Sequence, residues 1–291
     1  MGNCSKCKEK AIFLNPNFCK KHFIDYFENK VKKTIKDYGL FSKKDKIAVA
    51  CSGGKDSTTI LFILKKSGFN VEALAINEGI DSYRNHTLVD LKKFCKENKV
   101  KLKVVSFKEE FENTLDEMLK QRKNPCTVCG IFRRNLMNRY SKDYDKIVTG
   151  HNLDDEAQAV MMNLFTANVD LLDKSNPKSK KIKGFTQRIK PLYFCSEKEV
   201  AAYALLKGFE VGFTECPYVH KAFRHDVRSA LNNFEEEHKG TKLNILKKHL
   251  KNISKIKTSS ESIAYCSECG EPSRGKICKA CKLLSEIQSF K

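Results

Sequence analysis

A glycine-rich segment near the start of the sequence has the residue types of a phosphate-binding loop. It lies between the apolar runs 46–50 and 58–66, directly after Ala50, and consists of Cys51, Ser52, Gly53, Gly54, Lys55, Asp56 and Ser57. The pattern predicts a buried strand, a turn and a helix. Glycine lets a phosphate approach the backbone, and the first amides of the helix present free N–H groups beside the charge of Lys55. The spacing is not that of the Walker loop. The alternative is a glycine-rich turn without a ligand.

An acidic segment at residues 150–156 is the second candidate for chemistry. It follows a predicted strand at 146–149 and begins a predicted helix that runs through Phe165. Its acids, Asp154, Asp155 and Glu156, fall in the first helical turn, where they complement the helix dipole. The other interpretation is a magnesium ligand or a group that handles protons beside a nucleotide. The position at a strand end favours this second interpretation for Asp154 and Asp155.

Thirteen cysteines in a chain without a visible secretory signal indicate metal binding rather than disulfides. Two groups consist of paired ligands, each pair separated by two residues, which is the spacing of tetrahedral zinc sites. Four protein ligands leave no open position, so we predict one structural zinc in each group. The first group is Cys4, Cys7, Cys19 and His22, and the second is Cys266, Cys269, Cys278 and Cys281.

A third pair, Cys126 and Cys129, has no second pair close by. A redox dithiol is one interpretation, and a structural zinc with remote partners is another. Cys216 precedes a proline in a predicted loop that would expose its sulfur. Three thiolates without a fourth would leave one iron of a four-iron cluster open. Spacing alone does not establish such a cluster.

The composition limits the class of protein. The chain has 291 residues, of which 41% are hydrophobic and 31% are charged, as in a folded globular protein rather than a disordered one. No stretch approaches eighteen apolar residues, so no membrane-spanning helix is expected. With no secretory signal visible, the cytosol is the expected location.

The formal net charge of +20 favours a polyanionic partner such as nucleic acid, bound in a salt-dependent way. The alternative is a lysine-rich surface with no partner. Basic residues are dense between 173 and 190, beside a proline and a glycine, and predict a mobile basic loop. They are Lys174, Lys178, Lys180, Lys181, Lys183, Arg188 and Lys190.

Predicted strands alternate with predicted helices along most of the chain. Strands are expected at 47–51, 71–76, 101–107, 146–149 and 190–193, and helices at 25–38, 55–66, 82–98, 109–119, 130–140, 153–165, 197–207 and within 223–257. This alternation predicts an α/β fold with a doubly wound, Rossmann-like parallel sheet, flanked by two small zinc modules. We predict an N-terminal zinc module at 1–25, a catalytic domain at 26–257 and a C-terminal zinc module at 258–291.

These motifs carry a resemblance to a known family. The loop Ser52–Ser57 resembles the Ser-Gly-Gly-x-Asp-Ser loop of the PP-loop ATP pyrophosphatases, which cleave ATP between the α and β phosphates and adenylate a substrate. Together with the central cysteine pair, the segment 150–156, Phe132-Arg133-Arg134, residues 215–218 and the flanking cysteine modules, it resembles the TtuA/NcsA family of tRNA 2-thiouridine synthetases.

The resemblance implies a set of ligands and roles. A [4Fe–4S] cluster would be held by Cys126, Cys129 and Cys216. Mg²⁺ would accompany ATP, and Lys55, Asp155 and Arg133 would be the catalytic residues. The ATP-binding residues would be Ala50, Ser52, Gly53, Gly54, Lys55, Asp56, Ser57, Ile76, Asn77, Gly150 and His151.

The resemblance also implies partners. The substrate would be tRNA, at the wobble uridine, with the T-loop uridine as the alternative. Sulfur would come from a ubiquitin-like protein with a C-terminal thiocarboxylate or from sulfide, and a homodimer is possible. Rival hypotheses are a PP-loop enzyme that thiolates another RNA base, such as cytidine, and a non-enzymatic zinc protein that binds RNA. The sequence has no Gly-x-Gly-x-x-Gly motif after its first predicted strand, which argues against an NAD-type oxidoreductase.

Overall fold

A five-stranded parallel sheet forms the centre of the computed structural model, which describes residues 2–120, 124–212, 215–219, 223–253 and 263–289. The strand order is β3-β2-β1-β4-β5, and all neighbours are parallel. From β1 the strands are added in chain order towards one edge of the sheet as far as β3, and β4 and β5 are then added on the other side of β1. The switch point therefore lies between β1 and β4, and ligands of such sheets bind there, outside the carboxyl ends of the strands. The strands are β1 Lys46–Ala50, β2 Asn70–Asn77, β3 Leu102–Ser106, β4 Lys146–Thr149 and β5 Gln187–Ile189.

Helices cover both faces of the sheet, as the predicted α/β class requires. A small antiparallel ribbon, β6 Ala264–Tyr265 with β7 Pro272–Ser273, belongs to the C-terminal cysteine module. None of the described helices is both long enough and apolar enough to cross a membrane. The helices are α1 Lys20–Asp37, α2 Lys55–Lys66, α3 Arg84–Glu97, α4 Phe107–Phe111, α5 Leu115–Leu119, α6 Pro125–Tyr140, α7 Leu153–Phe165, α8 Val169–Leu172, α9 Glu197–Leu206, α10 Phe223–Glu237, α11 Thr241–Asn252 and α12 Lys279–Gln288.

The core has a layer on each face of the sheet because successive side chains of a strand point in opposite directions. Ile47 and Val49 of β1 pack into the layer formed with α1, α2 and α9. Ala48 packs into the layer formed with α4, α6 and α12. The central strand is therefore apolar on both faces, which explains why its sequence is a continuous apolar run.

Several element boundaries differ from the sequence prediction, and α1 begins at Lys20 rather than at residue 25. The fifth strand is Gln187–Ile189, whereas the predicted 190–193 forms a turn in which Leu192 and Tyr193 are fully buried. The predicted helix 109–119 is two short helices, because Glu112 adopts a positive φ of 60°. The helix predicted at 130–140 begins at Pro125, with the Asn124 side chain as its cap.

The segment predicted as a mobile basic loop is hydrogen-bonded to the sheet. We call residues 174–190 the basic arm. Within it, the Ser179 amide donates to the Arg188 carbonyl at 2.9 Å, and Lys178 forms a bridge with Ile189. The arm also touches the C-terminal module, since a Cβ at Gly184 would lie 2.7 Å from Cγ of Pro272. The arm and this module therefore form one continuous surface.

Candidate active site and metal centres

The glycine-rich loop joins β1 to α2 in the geometry of a phosphate site. Gly53 has a φ of 83°, and a Cβ there would overlap the carbonyl oxygen of Thr87, so glycine is required. Gly54 is the N-cap of α2, whose first amides have no partner within the helix. The Ser57 hydroxyl holds the turn by accepting from the Ser52 amide at 3.2 Å and donating to the Gly54 carbonyl at 3.1 Å.

Two carboxylates hold the Lys55 ammonium at the edge of this loop. Its Nζ lies 2.9 Å from Oε1 of Glu197 and 3.2 Å from Oδ2 of Asp56. Burial alone would lower the pKa of Lys55, but the two carboxylates outweigh it and raise that pKa. Arg228 extends this ion-pair network, because it lies 3.4 Å from Glu197 and 2.5 Å from Glu215, which precedes Cys216.

The loop between β4 and α7 lies directly against the glycine-rich loop. A Cβ at Gly150 would lie 2.9 Å from the Ser57 amide nitrogen, so this close backbone approach requires glycine. Asn152 donates from Nδ2 to the Asp56 carboxylate at 2.9 Å. The exposed His151 has its ring Nδ1 2.8 Å from the Thr149 hydroxyl.

The two adjacent aspartates of α7 have different roles. Asp155 forms a reciprocal cap with Asn152, at 3.0 and 3.2 Å, and its other oxygen lies 3.3 Å from Arg224. Burial raises its pKa, and Arg224 opposes that rise. Asp154 instead forms a buried ion pair with Lys242 and accepts from the Glu197 amide at 2.7 Å. Asp155 is therefore the acid near the loop, and it also caps the helix, whereas Asp154 is structural.

The sequence prediction lacks several residues that contact the site, among them Arg84 and Glu78. Buried Arg84 donates from Nε to the Ile76 carbonyl at 2.9 Å, bonds the Ser52 carbonyl through Nη1, and pairs with Glu78 at 2.8 Å. It thus joins the end of β2 to the glycine-rich loop. The other Glu78 oxygen lies 3.8 Å from Arg133. The only sequence signal for Glu78 is its position two residues after the predicted strand 71–76.

Asn77 is the last residue of β2, and its side chain bonds the backbone two residues later. Its Oδ1 accepts from the Gly79 amide at 3.1 Å. Ile76 before it is buried. The carboxyl ends of β1, β2 and β4 thus bring together the predicted ATP-binding residues along one edge of the sheet.

The central cysteines lie at the same edge. Cys126 is exposed and Cys129 half-buried at the start of α6, and half-buried Cys216 packs with Cys129 against the same core layer. Burial raises the pKa of Cys129 to about 11. The positive charge of Arg133 opposes this rise, whereas Glu78, Cys216 and Cys126 add to it. Among the described residues these three cysteines do not form one of the compact groups whose ligand atoms all lie within 4.8 Å of one another. This wide three-thiol set fits a four-iron cluster with one open iron better than a single ion.

The two outer groups do have the compactness of single-ion sites. Within each, all four ligand atoms lie within 4.8 Å of one another, and the groups are those predicted. Sulfur pairs Cys7–Cys19 and Cys269–Cys278 are 3.7 Å apart. A tetrahedral zinc with Zn–S bonds of about 2.3 Å separates its sulfurs by about that distance. Both groups could therefore hold a metal ion.

Comparison with known proteins agrees with this geometry. A family model for the PP-loop domain matches residues 24–235. A Pyrococcus horikoshii protein named tRNA-5-methyluridine(54) 2-sulfurtransferase is 41% identical over 96% of this chain and 92% of its own. The cytoplasmic tRNA 2-thiolation protein 1 of Candida glabrata is 34% identical over 98% and 86%.

A solved structure is similar over almost the whole length. It is the U34-tRNA thiolase NcsA from Methanococcus maripaludis with its [4Fe-4S] cluster, with a TM-score of 0.84 and 34% identity over 98% of this chain and 96% of that one. The chain therefore belongs to the PP-loop family and, within it, to the TtuA/NcsA family of tRNA 2-thiolation enzymes.

Proposed function

We propose that the protein is an ATP-dependent tRNA 2-thiolase that adenylates the C2 oxygen of a uridine and replaces that oxygen with sulfur. The observation that carries the proposal is the common edge of the sheet shared by the glycine-rich loop, Asp155 and the three-cysteine set. A phosphate site, a carboxylate and a sulfur site at one place are what this two-step reaction needs.

The reaction balances without a redox step. The uridine O2 attacks the α-phosphorus of ATP and expels pyrophosphate, and the base loses its N3 proton. Hydrogen sulfide anion then forms the C–S bond at C2 as the C–O bond to AMP breaks, and its proton goes to N3. Adenylation is needed because an unmodified carbonyl oxygen is a poor leaving group.

The side chains divide the work of the first step. Lys55 and the free amides of α2 bind the polyphosphate and stabilise the charge on the departing pyrophosphate. Asp155 accepts the N3 proton, a role for which a raised carboxyl pKa is suited. Arg133, half-exposed between Glu78 and the cysteines, stabilises charge on the reacting groups. We propose that Mg²⁺ accompanies the polyphosphate.

We propose that Cys126, Cys129 and Cys216 hold a [4Fe–4S] cluster and that the two outer groups hold structural zinc. When bound, such a cluster supplies an open iron that can carry sulfur. The relative with the [4Fe-4S] cluster, similar over 98% of this chain, supports this assignment. The sulfur donor, a homodimer, the domain boundaries and a cytosolic location stay predictions.

The target base has two candidates. The wobble uridine is our first proposal, supported by the relative described as a U34-tRNA thiolase. The T-loop uridine is the second, supported by the relative named for uridine 54. Unmodified tRNA transcripts with cytidine at position 34 or at position 54 distinguish them, since only one change should abolish 2-thiouridine in nucleoside mass spectrometry. If both transcripts were thiolated, the enzyme would not act at only one of these two positions.

The reaction itself is tested by anaerobic turnover with a tRNA transcript, ATP, Mg²⁺ and sulfide. Pyrophosphate, AMP and 2-thiouridine should form in equal amounts. Asp155→Asn should bind ATP normally and lose about 100-fold or more in rate, as expected for a lost general base. Asp143→Asn, at an exposed position, is the matched control. Pyrophosphate release without thiolated tRNA in the wild-type protein would overturn the proposal.

A further inference from the structure

Three arginines beside the cysteine edge have too few carboxylates to balance their charge. Arg134 makes no ion pair or hydrogen bond with any residue that the structure describes. The hydrogen bond of Arg188, 2.9 Å long, goes to the neutral side-chain oxygen of Asn138. The nearest carboxylate to Arg133 is Glu78, at 3.8 Å, which already pairs with Arg84. The cluster therefore carries a surplus of positive charge.

Arg134 of α6 and Arg188 of β5 lie along the same face of α6. Gly130, Arg134 and Asn138 are spaced by four residues and share one face of the helix. The Arg134 guanidinium lies over Gly130, because a Cβ there would be 3.0 Å from Nη1 of Arg134. Arg188, on β5, reaches the same face at Asn138. The row begins next to Cys129.

Electrostatics adds to this geometry. Burial and the neighbouring Arg134 and Arg133 lower the pKa of Arg188 to about 10. Burial and Arg133 likewise lower the pKa of Arg134. Like charges that repel one another in the free protein are stabilised when an anion binds between them.

We propose that Arg134 and Arg188 form a binding site for a backbone phosphodiester of the RNA that carries the target base. The inference rests on the proposed function, which supplies the RNA. Guanidinium groups suit this ligand because their planar donors match phosphate oxygens in pairs. The site is separate from the glycine-rich loop, where Lys55 and the α2 amides take the phosphates of ATP. It would hold the strand next to the cysteine edge.

The test is the salt dependence of binding of an unmodified tRNA transcript to the full-length protein. The double variant Arg134→Gln/Arg188→Gln should bind tRNA at least tenfold more weakly at moderate salt. The slope of log K against log salt should fall by about 2, because about one phosphate contact per arginine is lost. The ATP dissociation constant should be unchanged. Arg134→Lys/Arg188→Lys should restore most of the slope and only part of the affinity.

The control is Lys92→Gln/Lys96→Gln, which removes the same charge from exposed positions on α3. If the arginine variant behaves like this control, or if its ATP affinity falls in parallel with its tRNA affinity, the proposal is wrong. Should the double variant fail to fold, Arg134→Gln alone should lower the slope by about 1, since Arg134 is exposed and has no ion pair among the described residues. A wild-type protein that binds tRNA with the expected arginine dependence but does not thiolate it would overturn the proposed function and leave this site standing.

Discussion

Lys55 cannot bind a phosphate without weakening its contacts with Glu197 and Asp56. Glu197 therefore competes with ATP for the ammonium. We predict that Glu197→Gln lowers the dissociation constant of ATP about two- to fivefold, the size expected for losing a partly exposed ion pair. Isothermal titration calorimetry measures it. Glu210→Gln removes a charge paired with Lys93 and is the control. Weaker ATP binding in Glu197→Gln would mean that this carboxylate helps to bind the nucleotide.

We predict that Arg224 influences the acidic limit of the reaction through its ion pair with Asp155. Burial raises the pKa of Asp155 and the positive charge of Arg224 lowers it. In the proposed mechanism Asp155 must be ionised to accept a proton, so we expect activity to fall as pH drops through its pKa. Arg224→Gln removes the lowering influence, and we expect the acidic limb of the pH–rate profile to move to higher pH. A limb that stays in place would exclude Asp155 as the titrating group.

A buried ion pair ties the helical C-terminal part to the active-site helix. Lys242 of α11 pairs with Asp154 of α7, and both are under a tenth exposed. We predict that Lys242→Met lowers the free energy of unfolding by about 3–5 kcal/mol, because it leaves Asp154 charged, buried and unpaired. Lys242→Met/Asp154→Asn should recover much of that loss. Urea unfolding measures both, and equal stability of the two variants would show that the charge is not the cause.

The helices and strands that position the site differ in how well the sequence predicts them. β1 is confirmed because a central strand, buried on both faces, gives an unmistakable apolar run. The prediction of β5 at 190–193 is wrong. The strand is a three-residue edge strand that includes polar Gln187 and Arg188, and the apolar run after it is buried in a turn. The helix predicted at 130–140 begins instead at Pro125, because proline is well suited to the first helical position.

The same contrast applies to the site. The glycine-rich loop is contiguous and the two outer cysteine groups are evenly spaced, so local sequence is enough to find them. Cys216 is far from Cys126 and Cys129 in the sequence, and only the resemblance to a known family joins it to them. Arg84, Glu197 and Arg224 come from three different helices, and only the fold brings them to the loop. No local pattern distinguishes such residues from ordinary surface charges on amphipathic helices.

The three cysteine groups give the whole molecule a metal content that can be counted. We expect about two zinc and about four iron atoms per chain in anaerobically purified protein. Cys216→Ala should abolish the iron chromophore and leave both zincs, because the outer groups are complete without it. Elemental analysis with visible absorption measures this. Iron that persists in Cys216→Ala, or a third zinc in its place, would contradict the assignment.

The net charge of +20 is a property of the whole surface, but its effect on RNA binding depends on which charges are available. In the basic arm, Lys178 donates to the Gly39 carbonyl at 2.6 Å and Lys180 pairs with Asp173 at 2.8 Å. Lys181 and Lys183 are exposed beside the C-terminal module. The arm therefore offers fewer phosphate contacts than its count of lysines suggests.

We accordingly predict a partial effect when all four lysines are neutralised together. Lys178→Gln/Lys180→Gln/Lys181→Gln/Lys183→Gln should lower the salt slope of tRNA binding by about 2, because Lys181 and Lys183 account for most of it. ATP binding should not change. Lys181→Gln/Lys183→Gln alone should give nearly the same slope as the fourfold variant, which serves as an internal control. A wild-type slope in the fourfold variant would exclude these four lysines as RNA contacts and leave that role to the cysteine modules and to Arg134 and Arg188.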